Sequence, residues 1–281
     1  MQATTNCPNC GTAFTGHYCT NCGEKAFTSH DRSMAHVLEE GLHFMTHFEG
    51  KLFTTVKTMF TAPGKFALDY CQGVRKKYYK PLSFFLLLIV IYLLFPVAQG
   101  LNAPLPTHVQ SQWYHKEALA KTLAVMKKHH LTETQVIEHF HTVSEKVSKV
   151  LLILIIPILA LWSKLLAFRR KEKFYYDHFI LSTEINSFLV LWGFLILPVF
   201  SRLVLLAIEK LFHKDLFNDM VIGIILSLSI YLYTFLAARR FFSYVWRRAA
   251  LYALFFTVVY VLVILYVYQY ALFQVTIRLV H

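Results

Sequence analysis

The 281-residue chain is 56% hydrophobic, 16% aromatic and only 16% charged, well below the roughly 25% charge of an ordinary soluble domain. Its mean hydropathy of +0.47 excludes a disordered or highly solvated protein and points to the membrane class. The formal net charge of +12 suits nucleic acid only in total, because the basic residues form short blocks at the ends of apolar runs, where they act as topology determinants; no nucleic-acid partner is expected.

Residues 1–28 form a polar module without helical periodicity. Its first residues, Met1 to Cys7, carry no basic stretch leading into an apolar core. The first apolar run is therefore expected to act as an uncleaved insertion signal. The motif Cys7-Pro8-Asn9-Cys10-Gly11 is followed after eight intervening residues by Cys19-Thr20-Asn21-Cys22-Gly23. Each CxxCG unit places two thiolates on a tight turn, with a glycine able to take positive φ after the second. Two such knuckles make a four-sulfur tetrahedral site, and the clustering of four of five cysteines here fits a reducing compartment better than a disulfide framework. Cys7, Cys10, Cys19 and Cys22 are expected to hold structural zinc, the metal supplying the folding energy that so small a module lacks. An iron site like that of rubredoxin and a pair of redox-active CxxC units are rival readings. The intervening loop is short for the first, and the thioredoxin-like context of the second is missing.

Residues 29–80 read as amphipathic membrane-surface helices. Leu38, Leu42, Met45, Leu52, Val56 and Met59 share one face, and His36, Glu40, His43, His47, Lys51 and Thr54 the other. Phe48, Leu52 and Phe60 would insert into the headgroup region, with packing against the membrane bundle as the alternative. Pro63-Gly64 ends the helix, and a shorter segment runs to Cys71, read as a buried small residue or a lipidation site. Arg75, Lys76, Lys77 and Lys80 then form a basic cluster expected to meet lipid headgroups.

Residues 81–281 read as a transmembrane domain of five spans: about 82–98, 149–168, 179–200, 220–238 and 249–273. An outer helical excursion occupies about 99–148, and Thr132 to Gln135 forms a capping box whose helix is expected to run into the second span. Residues 202–212 are amphipathic and read as an interfacial extension of the third span. The basic blocks Arg75/Lys76/Lys77/Lys80, Arg169/Arg170/Lys171/Lys173 and Arg239/Arg240/Arg247/Arg248 fall on one side if there are five spans. The positive-inside rule then puts the N-terminus in the cytosol and the C-terminus outside. The fold expected is an all-α membrane helical bundle with a small N-terminal zinc ribbon.

Glu184 stands out inside the third span, near Thr183 and Asn186, with Asp177 and His178 at the cytosolic edge. An ionisable residue at that depth marks either a polar pathway or a structural hydrogen bond. Asp177, His178, Glu184 and Asn186 are thus the candidate intramembrane polar site. His43 and His47 fall inside and His129, His130, His139 and His141 outside, so they cannot share a di-iron centre. The chain has no GxGxxG, Walker A, HExxH or GxSxG motif.

The order of knuckles, Phe48-Glu49-Gly50-Lys51-Leu52-Phe53-Thr54-Thr55, Thr61-Ala62-Pro63-Gly64 and Gly73-Val74-Arg75-Lys76-Lys77-Tyr78-Tyr79-Lys80-Pro81-Leu82-Ser83-Phe84-Phe85 resembles a family of uncharacterised bacterial membrane proteins, frequent in Bacteroidota, known as domain of unknown function 3667. Tyr176-Asp177-His178-Phe179 adds to the likeness. The resemblance implies a bacterial inner membrane and a zinc ribbon ahead of the spans, and assigns no catalytic residue. The function expected is a non-enzymatic integral membrane protein whose cytosolic ribbon serves docking or assembly, with the bilayer and a cytosolic protein as partners. The alternatives are a transporter or channel using the polar site around Glu184, and a lipid-acting enzyme, which would need a cavity at the cytosolic boundary lined by Asp177, His178, Glu184 and basic residues.

Overall fold

The computed structural model describes residues 5–26, 50–95, 102–202 and 219–280. The amphipathic stretch expected up to residue 49 and nearly all of the expected interfacial extension at 202–212 lie outside the described residues. Two short strands, β1 (Thr5–Asn6) and β2 (Ala13–Phe14), pair antiparallel in the N-terminal module. The rest is helical: α1 (Lys51–Thr61), α2 (Lys65–Cys71), α3 (Pro81–Leu94), α4 (Leu105–Gln110), α5 (His115–His129), α6 (Glu133–Leu166), α7 (Tyr175–Arg202), α8 (Asp219–Phe241) and α9 (Trp246–Leu279).

Four of these helices, α6, α7, α9 and α8 from Val221 on, are long and apolar enough to cross a membrane. The first of the five expected spans is the one that, among the described residues, does not reach that length. The first apolar run makes only the 14-residue helix α3, about 21 Å long at 1.5 Å per residue against about 30 Å of hydrocarbon. Its end follows from the chain: Phe95 precedes Pro96, and the residue before a proline is driven out of the α region; its φ of −126° and ψ of 75° agree.

Helix α7 is the axis of the bundle. Of its most apolar window 78% is buried, against 28–33% for the other three spanning helices, so those three carry the outward apolar faces. Its second half includes a π-helical stretch, Leu189–Ile196. Trp192 in that stretch donates its indole N–H to Ser229 of α8 at 3.1 Å.

The three basic blocks meet at one end of the bundle. Arg75 donates to the Tyr176 hydroxyl at 3.4 Å, the Arg170 guanidinium lies 5.2 Å from the Tyr244 ring centroid and Lys173 4.5 Å from that of Phe241. From that end α3 runs along α7 until Tyr92 meets Phe194, with ring centroids 5.7 Å apart. The chain therefore changes ends between Lys80 and Leu105 even though α3 alone is shorter than a span.

At the opposite end lies the expected excursion. The capping box is present: Gln135 Oε1 accepts the Thr132 N–H at 2.8 Å, and Thr132 Oγ1 accepts the Gln135 N–H at 3.4 Å. Helix α6 runs unbroken for 34 residues, about 50 Å, so it outruns the hydrocarbon layer, as does the 34-residue α9. Between their projecting ends α4 and α5 pack a separate core of Leu105, Tyr114, Ala118, Val136, Phe140 and Phe273, among others.

Buried His108 sits in that core against Phe140 and Phe273, each 5.5 Å away between ring centroids. Its Nε2 is 3.1 Å from the Ala103 carbonyl and its Nδ1 2.6 Å from the Tyr114 hydroxyl. Burial pushes its pKa down to about 4 from 6.5, while the Ala103 carbonyl pulls the other way. The unfolded chain thus binds a proton that the folded core refuses. Stability from this group is full above pH 6.5 and falls as pH drops toward 4, by on the order of 3 kcal/mol. The hydrogen-exchange protection factors of residues 105–140, taken relative to the intrinsic rate at each pH, should fall over that window in the wild type and change less in His108→Phe; parallel profiles would refute the assignment.

Candidate functional site

Two places in the described structure gather chemistry. The first is the N-terminal module. In each knuckle the first cysteine's carbonyl accepts the glycine N–H four residues on: Gly11 to Cys7 and Gly23 to Cys19, both at 2.8 Å. Gly11 and Gly23 take φ of 77° and 68°, the left-handed turn that the CxxCG spacing requires. The matching outer bonds, Cys7 N–H to Thr12 and Cys19 N–H to Glu24 at 2.9 and 2.7 Å, make the knuckles near copies of each other.

The four ligand sulfurs lie within 4.8 Å of one another and could hold a metal ion. Across the knuckles, Cys7 and Cys22 sulfurs are 3.5 Å apart and Cys10 and Cys19 sulfurs 3.6 Å. A tetrahedral ion with metal–sulfur bonds of about 2.3 Å needs about 3.8 Å between sulfurs, close to the two cross-knuckle distances. The Thr12 hydroxyl holds the Cys10 thiol down at about 6 and the Cys22 N–H lowers Cys19, while burial pushes Cys7 up to about 11. A cation in the cage would favour all four thiolates. Among the described residues the outer histidines form no comparable group.

The module is seated on the basic cluster. Glu24, 2% exposed, accepts the Lys76 N–H through Oε2 at 3.0 Å, and Lys76 Nζ donates to the Cys22 carbonyl at 2.6 Å. A Cβ at Gly23 would collide with that ammonium. Lys76 is thus turned to the second knuckle, and Arg75 to Tyr176 and the Tyr70 ring. Lys77 lies 5.2 Å from the centroid of the Tyr78 ring. Lys76 and Arg75, expected to meet headgroups, thus also make these internal contacts.

The second place is Glu184. It is wholly buried, and all its partners are internal: Oε1 accepts the Gly64 N–H at 2.8 Å and the Tyr233 hydroxyl at 2.7 Å, and Oε2 accepts the Ala67 N–H at 2.7 Å. The carboxylate therefore caps the first turn of α2, where N–H groups lack helical partners and a negative charge meets the positive end of the dipole. Arg240 donates to the Pro63 carbonyl beside it. Gly64 has φ +78°, and a Cβ there would approach the Ala237 Cα to 2.7 Å, so the turn needs glycine both for conformation and for space.

This geometry corrects the reading of residues 65–71 as a membrane-surface segment. Phe66, Ala67, Tyr70 and Cys71 are buried against α7 and α8, because a short helix can lie inside a bundle once its end groups are satisfied. Cys71, 2% exposed, is the buried small residue of the two alternatives.

The other polar residues of α7 are not brought together with Glu184. Asp177 Oδ2 accepts the Phe174 N–H at 2.8 Å, capping its own helix. His178 Nδ1 lies 2.8 Å from Ser163 Oγ, which is 2.6 Å from the Tyr252 hydroxyl. Asn186 Oδ1 accepts the Tyr260 hydroxyl at 2.9 Å. Two residues along a helix turn about 200°, so Asn186 faces α9 while Glu184 faces α2 and α8. The expected site is a row of separate anchors between the axial helix and its neighbours. Reading the sequence missed Glu24, Tyr233, Ser163 and Tyr252; only Glu24, the acidic residue directly after a knuckle glycine, offered a local signal.

Fold and site define a mostly helical protein with membrane-spanning helices and a four-cysteine module able to hold a metal ion. Residues 49–93 match the family described as "Protein of unknown function (DUF3667)". That stretch comprises the Glu184-capped turn, the Lys76 seat and α3. No curated protein and no solved structure matches the chain.

Proposed function

We propose that the chain is a non-enzymatic integral membrane protein whose N-terminal module is a zinc ribbon used for docking or assembly at the cytosolic face. The observation that carries this reading is the seat itself: Glu24 and Lys76 bind the second knuckle to the membrane domain, while Pro8, Asn9, Cys10 and Gly11 of the first knuckle remain exposed. Zinc is favoured by the four-thiolate set and closed tetrahedral spacing, which leave no open position for substrate. Held by Cys7, Cys10, Cys19 and Cys22, it would supply the fold of the ribbon. A cytosolic placement rests on the three basic blocks sharing one end, and a bacterial inner membrane on the family likeness.

Elemental analysis of the detergent-purified chain should find one zinc per chain. A pull-down from membranes should recover a cytosolic protein with the wild type and lose it with Cys7→Ser, whereas Glu24→Ala should retain zinc yet make the segment around residue 26 quicker to cleave. The same proteins recovered with Cys7→Ser would remove the docking role.

A further inference from the structure

At the basic end, between the C-terminus of α6 and the N-terminus of α9, lies a cleft of about 430 Å³ whose lining includes Arg169, Arg170, Arg248, Tyr244, Leu251 and Phe255. We infer that this cleft binds a lipid with an anionic phosphate headgroup, the arginines holding the phosphate and the α6–α9 groove taking an acyl chain. The inference rests on the bundle crossing a membrane and does not depend on the ribbon.

Three guanidiniums on one cleft are a concentrated positive charge, and guanidinium pairs phosphate oxygens through two parallel N–H bonds. Two of them are already oriented by aromatic faces: Arg170 over Tyr244 at 5.2 Å and Arg169 over Phe168 at 5.6 Å. Among the described residues one carboxylate pairs with them, Glu172, 3.4 Å from Arg170 with its side chain 58% exposed; a solvated pair of that length neutralises little. The cleft is not a purely polar anion site, for half of its named wall is apolar or aromatic.

Leu166, Leu251 and Phe255 give the cleft an apolar wall, and α6 and α9 also expose Leu161, Leu165, Leu254 and Val258. Trp162 ties the two helices together there by donating to the Phe255 carbonyl at 3.3 Å. A free phosphate ion would use only the arginines, whereas a lipid uses both parts, with its charged head at the level where basic residues meet anionic leaflets.

Native mass spectrometry of the full-length protein in detergent tests this, with phosphatidylglycerol, phosphatidylcholine and inorganic phosphate as probes. One phosphatidylglycerol should be retained per chain in preference to phosphatidylcholine, and inorganic phosphate should not displace it. R169A/R170A/R248A should weaken retention by at least about tenfold, and the milder Arg248→Gln should weaken it partially. K127A/K128A/R278A, which removes the same charge at the opposite end, should leave it unchanged. Equal loss in that control, equal retention of phosphatidylcholine, or undiminished binding in Arg248→Gln and the folded triple variant would overturn the site. Displacement by inorganic phosphate would overturn the lipid assignment.

Discussion

Glu184→Ala should lower the unfolding midpoint of the detergent-solubilised protein by about 10 °C, the largest effect expected of any single substitution in the membrane domain. Removing the carboxylate leaves the Gly64 and Ala67 N–H groups and the Tyr233 hydroxyl without an acceptor in a dry interior. Each such group costs about 1–3 kcal/mol, and water cannot replace the acceptor. The three groups total about 3–9 kcal/mol, and the lower half of that range, at roughly 2–4 °C per kcal/mol for a large domain, gives that shift. Tyr233→Phe removes one donor and leaves the cap, so it should cost only about 1 kcal/mol. The double variant should be less destabilised than the sum, because the two residues share a bond. Thermal unfolding followed by circular dichroism checks this. A Glu184→Ala midpoint within about 1 °C of the wild type would show that the cap contributes nothing.

Chelation should unfold the N-terminal module and leave the bundle standing. The module's own core is Cys7, Phe14 and Cys19, flanked by Cys22 and Ala26, and its strands are two residues each. So little apolar burial cannot offset the entropy of ordering the chain. A structural zinc contributes about 10–16 kcal/mol in comparable peptides. With metal bound, a thiol reagent should find essentially no reactive cysteine. After treatment with a strong chelator four thiols should titrate. The fifth, Cys71, is buried in the bundle and should appear only on denaturation. The midpoint of the membrane domain should move much less than in Glu184→Ala, because the seat on Lys76 consists of two hydrogen bonds. Four thiols reacting before chelation, in a protein carrying one zinc, would rule out the four-cysteine cage.

Local features were readable from the chain because their causes are local. The CxxCG spacing itself imposes the turn and the convergence of sulfurs, the Thr132–Gln135 box starts α6, and long apolar runs become α6 to α9. Within the first apolar run α3 ends at Leu94, a stop set by Pro96 that hydropathy alone does not weigh. Residues 65–71 misled because their environment is supplied by α7 and α8, far along the sequence.

By itself, then, the sequence determined the class of the protein, the paired cysteine knuckles able to hold a metal ion, the capping of α6 and the presence of an ionisable residue within α7. Tertiary structure alone decided what that residue does. Glu184 could serve a path or a cap, and the difference lies in whether buried N–H donors converge on it; those of Gly64 and Ala67, 120 and 117 residues away, do so only when α2 is packed between α7 and α8. The same holds for Glu24 and Lys76, and for the arginines of the α6–α9 cleft: a charge declares its position in the chain, but its partners are set by packing.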